Sequence, residues 1–241
     1  MLLLPGSPPI EIVLRRSAQA TRFSLRISQV SRQVTLSLPT RARLGDAQAF
    51  ALAQEGWIRT HLARMPQVLA VGLGSVLPFQ GRNLSVVAGE GRSVRVLDDS
   101  LLVPGDPARV AAKVAAFLKV QARDRLVAAS DHYAGQVGRR VTQVTLRDTK
   151  SRWGSCASDG SLMYSWRLIM APPRVLDYVA AHEVAHMLEM NHSPRFWAVV
   201  ERLFPNWQVE RHWLKTKGGA LQAIRFESAN LLERANLLER D

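Results

Sequence analysis

His182-Glu183-Val184-Ala185-His186, followed by His192, sets three imidazoles and one carboxylate at a spacing that a helix can turn into a single metal site. Residues four apart on an α-helix share a face, so His182 and His186 project side by side, one turn apart, and both can reach one zinc ion. Glu183 lies about 100° further round the helix, out of that ligand set. There it can hydrogen-bond a water held by the ion. Zinc lowers the pKa of such a water to roughly 7, and the carboxylate can take its proton and relay it to a leaving amine. The chemistry implied is hydrolysis of a peptide or other amide bond.

A helix must present these residues, and the surrounding sequence supplies one. From Val175 to Met190 the chain is helix-compatible and heavily apolar, with Pro172-Pro173 at its start, where proline is tolerated. Asn191 accepts a left-handed helix end, and Ser193-Pro194 has the form of a cap and first position of a new helix. The chain therefore turns at 191–193, which swings His192 back toward the first two rings. Three imidazoles and an acid on an oily helix are costly to bury without a shared partner. Glu201 and Glu210 on the later helices are the alternative sources of a third ligand. The same donors also bind divalent ions other than zinc.

The rest of the chain reads as an α+β protein. Strand-like alternation at Ile10, Ile12 and Leu14, at Phe23, Leu25 and Ile27, and at Val34, Leu36 and Leu38 predicts a three-strand meander. An amphipathic helix over 46–64 and strands over 84–87, 94–97 and 101–103 follow, with a tight turn at Asp98-Asp99-Ser100. Pro104-Gly105-Asp106-Pro107 is the clearest break. Beyond it come a long helix over 108–135, strands over 141–146 and 161–168, and the metal helix. Two more helices run over 194–203 and 206–217. This pattern predicts a β-rich basic portion over 1–105 packed on a helical portion with a small sheet over 106–218, and an amphipathic tail over 219–241. In that tail ANLLER occurs twice, at 229–234 and 235–240.

Composition is that of an ordinary globular protein, 47% hydrophobic and 22% charged over 241 residues. A single cysteine, Cys156, excludes an internal disulfide framework. Met1-Leu2-Leu3-Leu4 is stopped by Pro5-Gly6, too short for a signal-peptide core, and no apolar run reaches membrane-spanning length, so a cytoplasmic protein without a membrane partner is expected. The net charge of +12 is uneven: residues 1–150 carry 21 basic against 10 acidic side chains, and 151–241 carry 11 against 10. That excess admits nucleic acid as a partner of residues 1–150, although solvated arginine faces explain it equally well and no nucleic-acid-binding motif accompanies it.

Arg147-Asp148-Thr149-Lys150-Ser151-Arg152-Trp153-Gly154-Ser155-Cys156, Gly160-Ser161-Leu162, Trp166-Arg167-Leu168, Asp177-Tyr178-Val179 and 182–197 resemble the YgjP-like zinc metallopeptidases, relatives of the SprT-like and WLM peptidases. The resemblance runs from the amino-terminal strands to about Lys217. It implies a zincin-type catalytic portion in which His182, His186 and His192 bind Zn2+, Glu183 is the catalytic base, and the substrate is a protein or peptide. The metzincins share the spacing, but position 189 is Glu189 rather than glycine and no methionine follows Met190 to make their Met-turn. In zincin architecture the strand before the active helix borders the cleft, so 161–166 can pair with an extended substrate, with ordinary sheet packing as the other reading and the two compatible. Arg147, Lys150, Arg152 and Tyr164 are the candidate substrate-binding residues, with ion pairs to Asp148 or Asp159 as the competing use of the cations. Tyr178 is read as structural. Cys156 is either a small packing residue or a thiolate redox switch, the former favoured. Two further readings stand beside the peptidase: a DNA-associated protein or DNA-localised protease, and a metal-dependent amidohydrolase acting on a non-peptide substrate. The oligomeric state is open.

Overall fold

Which strands bury a full face decides the order of the first sheet. In the computed structural model, which describes residues 1–28, 32–65 and 67–226, the amino-terminal elements are β1 (Leu2–Leu4), β2 (Ile10–Ser17), β3 (Ser24–Ile27), β4 (Val34–Pro39), α1 (Leu44–Ala53) and α2 (Glu55–Arg64). The sheet order is β1-β2-β4-β3. β2 and β4 are parallel, with Ile12 opposite Val34 and Leu14 opposite Leu36, and the outer strands are antiparallel to them. The expected meander is thus replaced by a crossed order. Ile10, Ile12, Val34, Leu36 and Leu38 are buried and hold β2 and β4 at the centre, whereas Leu25 and Ile27 are only partly covered and leave β3 at an edge. The expected helix over 46–64 is two helices, interrupted at Gln54, and Ala47, Ala51 and Ile58 close the core of this unit.

The chain divides into two compact units, residues 1–67 and 68–241. The second opens with β5 (Leu69–Ala70), β6 (Val76–Phe79), β7 (Arg82–Gly89), β8 (Arg95–Leu97) and β9 (Ser100–Pro104), followed by α3 (Val110–Gln136). Its sheet order is β6-β7-β9-β8, with β7 parallel to β9 and the flanking pairs antiparallel. This is the same order and sense as in the first unit, so a four-strand-then-helix pattern occurs twice.

The boundary expected near 105 therefore lies at 67/68. Leu77, Leu84, Val86, Leu101 and Val103 share one core with Val114 and Leu118 of α3, so the strands before Pro104 cannot be parted from the helix after it. The Pro104–Pro107 segment is instead a helix start, where the Asp106 carboxylate accepts a hydrogen bond from the Ala108 N–H at 2.9 Å. With this division, residues 1–67 carry nine basic and three acidic residues and 68–241 carry 23 and 17, an excess of six in each. The basic character is not the property of one unit.

The remaining elements are β10 (Gln143–Arg147), β11 (Gly154–Cys156), β12 (Ser161–Ser165), α4 (Pro173–Ala185), α5 (Pro194–Leu203), α6 (Trp207–Gln222) and β13 (Ile224–Arg225). β12 lies between β10, to which it is parallel, and β11, to which it is antiparallel. Both of its edges are taken, so 161–166 cannot receive a substrate strand, and Trp166–Met170 is a 3-10 turn. β13 pairs with β5, so residues up to 226 belong to the body rather than to a tail; the ANLLER duplication lies outside the described residues. α4 is covered nearly all round, with Val175, Leu176, Val179, Ala180, Ala181, Val184 and Ala185 buried.

Arg167, in the 3-10 turn, ties the segment before β11 to the end of α6. It is buried, donates from Nε and Nη2 to the Asp148 carboxylate at 2.6 and 3.0 Å, and donates from Nη1 to the Leu221 and Ile224 carbonyls at 2.7 and 2.8 Å. Arg167→Ala strands two buried carbonyls and is expected to lower stability by about 3 kcal/mol in urea denaturation, with no comparable loss for Arg147→Ala at the exposed end of β10.

Candidate metal centre

α4 ends earlier than its apolar sequence predicts. The last helical residue is Ala185, and the N–H groups of Met187 and Leu188 bond back three residues, to Val184 and Ala185, in the tighter 3-10 manner. The chain then turns, and α5 begins at Pro194 with the Ser193 hydroxyl accepting from the Phe196 N–H. The early stop places His186 at the helix end and lets His192 come back over it, as expected from the Ser193-Pro194 cap; the left-handed turn expected at Asn191 does not form, its φ being negative.

The rings of His182, His186 and His192 meet: their ligand-capable atoms all lie within 4.8 Å of one another. Nε2 of His182 and Nε2 of His192 are 3.2 Å apart. Two donors about 2.0–2.1 Å from a tetrahedral zinc ion would be separated by roughly 3.3–3.4 Å, so the spacing fits a shared ion. The imidazole Nδ1 of His186 is positioned to donate to the Glu189 carbonyl at 3.1 Å, which leaves the Nε2 lone pair toward the cluster. His182 Nδ1 is buried and has no partner among the described residues. Burial first, then the neighbouring His186 and His192 and the Arg211 charge, push the His182 pKa down to about 3; His186 is also lowered, chiefly by burial. Both rings are thus neutral at physiological pH, the form that ligates metals. Glu210 is engaged elsewhere, accepting from Arg174 Nε at 3.1 Å, and Glu201 is exposed; neither joins the cluster.

Aromatic rings wall the site. Phe196 stacks on His186 with centroids 4.4 Å apart, and Trp197 stacks on His192 at 5.7 Å and on Trp207 at 4.2 Å. The Arg211 guanidinium lies over Trp197 and Trp207. Tyr178 stacks on Trp207 and packs edge-on to His182, and burial raises its pKa to about 12, in keeping with a structural role.

Glu183 is buried against β11. A Cβ at Gly154 would lie 2.5–2.7 Å from Oε1, Cγ and Cδ of Glu183, so only glycine leaves room for the carboxyl. Burial raises the Glu183 pKa to about 8, against the opposing charge of Arg152. β11 pairs on one side only among the described residues. The Ser165 N–H bonds to the Trp153 carbonyl and the Ala157 N–H to the Ser161 carbonyl, so the alternation of an antiparallel pair turns the N–H and C=O of Gly154 and Cys156 to the open side.

Of the four candidate substrate-binding residues, Arg152 is the cation whose charge opposes the rise in the Glu183 pKa. Tyr164 is fully buried with its hydroxyl 3.0 Å from that of Ser130, which removes it from any contact with substrate. Lys150 lines a cavity with Asp148, Trp166 and Arg167, and Arg147 lines another with Lys119 and Trp166; neither cavity includes a histidine of the cluster. Asp148 pairs with Arg167, and Asp159 accepts from the Ser161 N–H. Gly154, Phe196 and Arg211 are the neighbours that sequence reasoning missed. A glycine inside a strand was the one available signal, since it marks a close approach.

A family model for the YgjP-like metallopeptidase domain matches residues 21–217. The chain belongs to the YgjP-like metallopeptidases. No curated protein matches this YgjP-like chain. Among solved structures, the crystal structure of the metallopeptidase zymogen of Pyrococcus abyssi abylysin is similar over 37% of this chain and 93% of that one, at 21% identity and a TM-score of 0.34, too low to carry an argument.

Two outcomes follow from the geometry. Gly154→Ala displaces the Glu183 carboxyl and should lower peptidase activity about 100-fold while leaving metal content unchanged by elemental analysis. The Cys156 thiol is pushed up to about 11 by burial and by the Glu183 and Asp159 charges. At pH 8 about one molecule in a thousand carries the thiolate, so iodoacetamide should label the native protein at least about 100-fold more slowly than the denatured chain; rapid native labelling would instead favour a redox role.

Proposed function

We propose that the chain is a zinc-dependent peptidase in which His182, His186 and His192 hold the ion and Glu183 is the general base. The observation that carries this reading is the meeting of three imidazoles beside a buried carboxyl, at the open edge of a strand. Bound there, zinc supplies Lewis acidity, lowering the pKa of a water in its open position to roughly 7 and polarising a carbonyl.

The protein's own groups supply the rest. Glu183 receives the proton of the attacking water and returns it to the leaving amine; its raised pKa brings its basicity toward neutral pH, where such transfer works best. Gly154 and Cys156 offer their outward N–H and C=O groups to the main chain of an extended peptide, which adds to β11 as a further strand. This replaces β12, the strand expected from the sequence to do so. Phe196 and Trp197 fix the imidazole planes and keep bulk water from one side of the cluster. Arg152 opposes the rise in the Glu183 pKa and so limits how far the carboxyl is held protonated.

Glu183→Gln should retain one equivalent of zinc and lose peptide hydrolysis by about 10³-fold or more. His192→Ala should weaken zinc binding without unfolding the protein, since His192 is exposed. Stoichiometric zinc together with no cleavage of casein or of a peptide library by the unmutated protein would overturn the peptidase reading.

A further inference from the structure

A cavity of about 470 Å³ adjoins the histidine cluster, with His186 in its wall. Met187, Leu188 and Met190 give it an apolar side, and the last two are exposed. Arg139 and Arg140, just beyond α3, give it a cationic side. Neither guanidinium makes an ion pair among the described residues. Asp159 also lines the cavity, but its carboxylate accepts from the Ser161 N–H at 2.9 Å and is engaged in its own turn. Two arginines and one aspartate therefore line it. Gly160, at φ +82°, closes the floor, where a Cβ would lie 3.2 Å from the Met187 methyl.

The cavity lies at the end of β11. That strand passes Glu183 at Gly154 and leads to Ala157, which lines the cavity. Three residues of strand span about 10 Å, so a peptide laid along this edge past Glu183 brings a side chain to the cavity within about three positions of the bond beside the carboxyl. A side chain with an apolar stem and an anionic end suits both sides. Its methylenes cover Met187 and Leu188, and its carboxylate meets the guanidinium forks, which match carboxylate geometry.

We propose that this cavity is a substrate subsite that selects an acidic side chain, glutamate above all, within about three residues of the scissile bond on the side reached past Cys156. The inference rests on the peptidase reading and deepens it by naming the substrate class. It assigns Arg139 and Arg140 as specificity determinants.

The test has two arms. In the first, fluorescence anisotropy measures binding of labelled peptides, alike except for a central Glu, Ala or Lys, to the Glu183→Gln protein. The Glu peptide should bind about fivefold more tightly than the Ala peptide, with Lys weakest, and added salt should reduce the difference. Arg139→Glu with Arg140→Glu should reverse the order, and circular dichroism would establish that this double variant is folded. Equal binding of the three peptides, no binding of any, or an order unchanged by the double variant overturns the subsite. In the second arm, mass spectrometry maps cuts made by the unmutated zinc-loaded protein in a peptide library. Enrichment of Glu or Asp at one position within three residues of the cut supports the inference, and cuts without it overturn it. Failure to cut at all counts against the peptidase reading, while the binding arm still decides the subsite.

Discussion

Three imidazole lone pairs converging on a space a few ångströms across make an arrangement that a cation resolves better than anything the protein itself provides. Burial has already biased His182 and His186 to their neutral forms, so protonating them to relieve the cluster works against desolvation. The adjacent acid in the chain, Glu183, is itself raised by burial and lies on another face of α4. The fold thus concentrates donors and withholds protons, which is the electrostatic description of a metal site before the metal.

Each supporting feature follows from keeping that arrangement rigid. α4 is buried along almost its whole length, so His182 within it and His186 just past its last residue are placed by core packing rather than by surface contacts. The helix stops at Ala185, and the carbonyl of Glu189 holds the His186 ring while Phe196 stacks on it. Gly154 lets β11 approach the Glu183 carboxyl more closely than a residue with a Cβ could. Arg167 holds the segment leading into β11 by joining Asp148 to the end of α6. The Glu183 carboxyl and the open edge of β11 are thereby braced from different elements of the same unit.

What could be read from the chain follows distance along it. His182, Glu183 and His186 lie within one helical turn and His192 within a short capped turn, so local propensity alone predicts their meeting. Helix caps at Ser193-Pro194 were legible for the same reason. The contact of Gly154 with Glu183 joins residues 29 apart, and the pairing of β2 with β4 skips a strand; both depend on packing that no short-range pattern encodes. β12 is read as a substrate-facing strand on the architecture the resemblance implies, and its alternation, the same at an edge or in the middle of a sheet, does not correct that reading. Tyr164 has a hydroxyl that could bind substrate, yet it occupies an inward position of that central strand. The Pro104–Pro107 break has the composition of a linker but starts a helix that shares its core with the strands before it.

The central claim is that these three imidazoles, and no other side chains, hold one zinc ion with a position left for solvent. X-ray absorption at the zinc edge of the loaded protein tests it directly. The account predicts about three nitrogen donors and one oxygen at roughly 2.0–2.1 Å with no sulfur near 2.3 Å. A sulfur shell, which Cys156 alone could supply among the cysteines, or a fourth protein donor closing the site would contradict it.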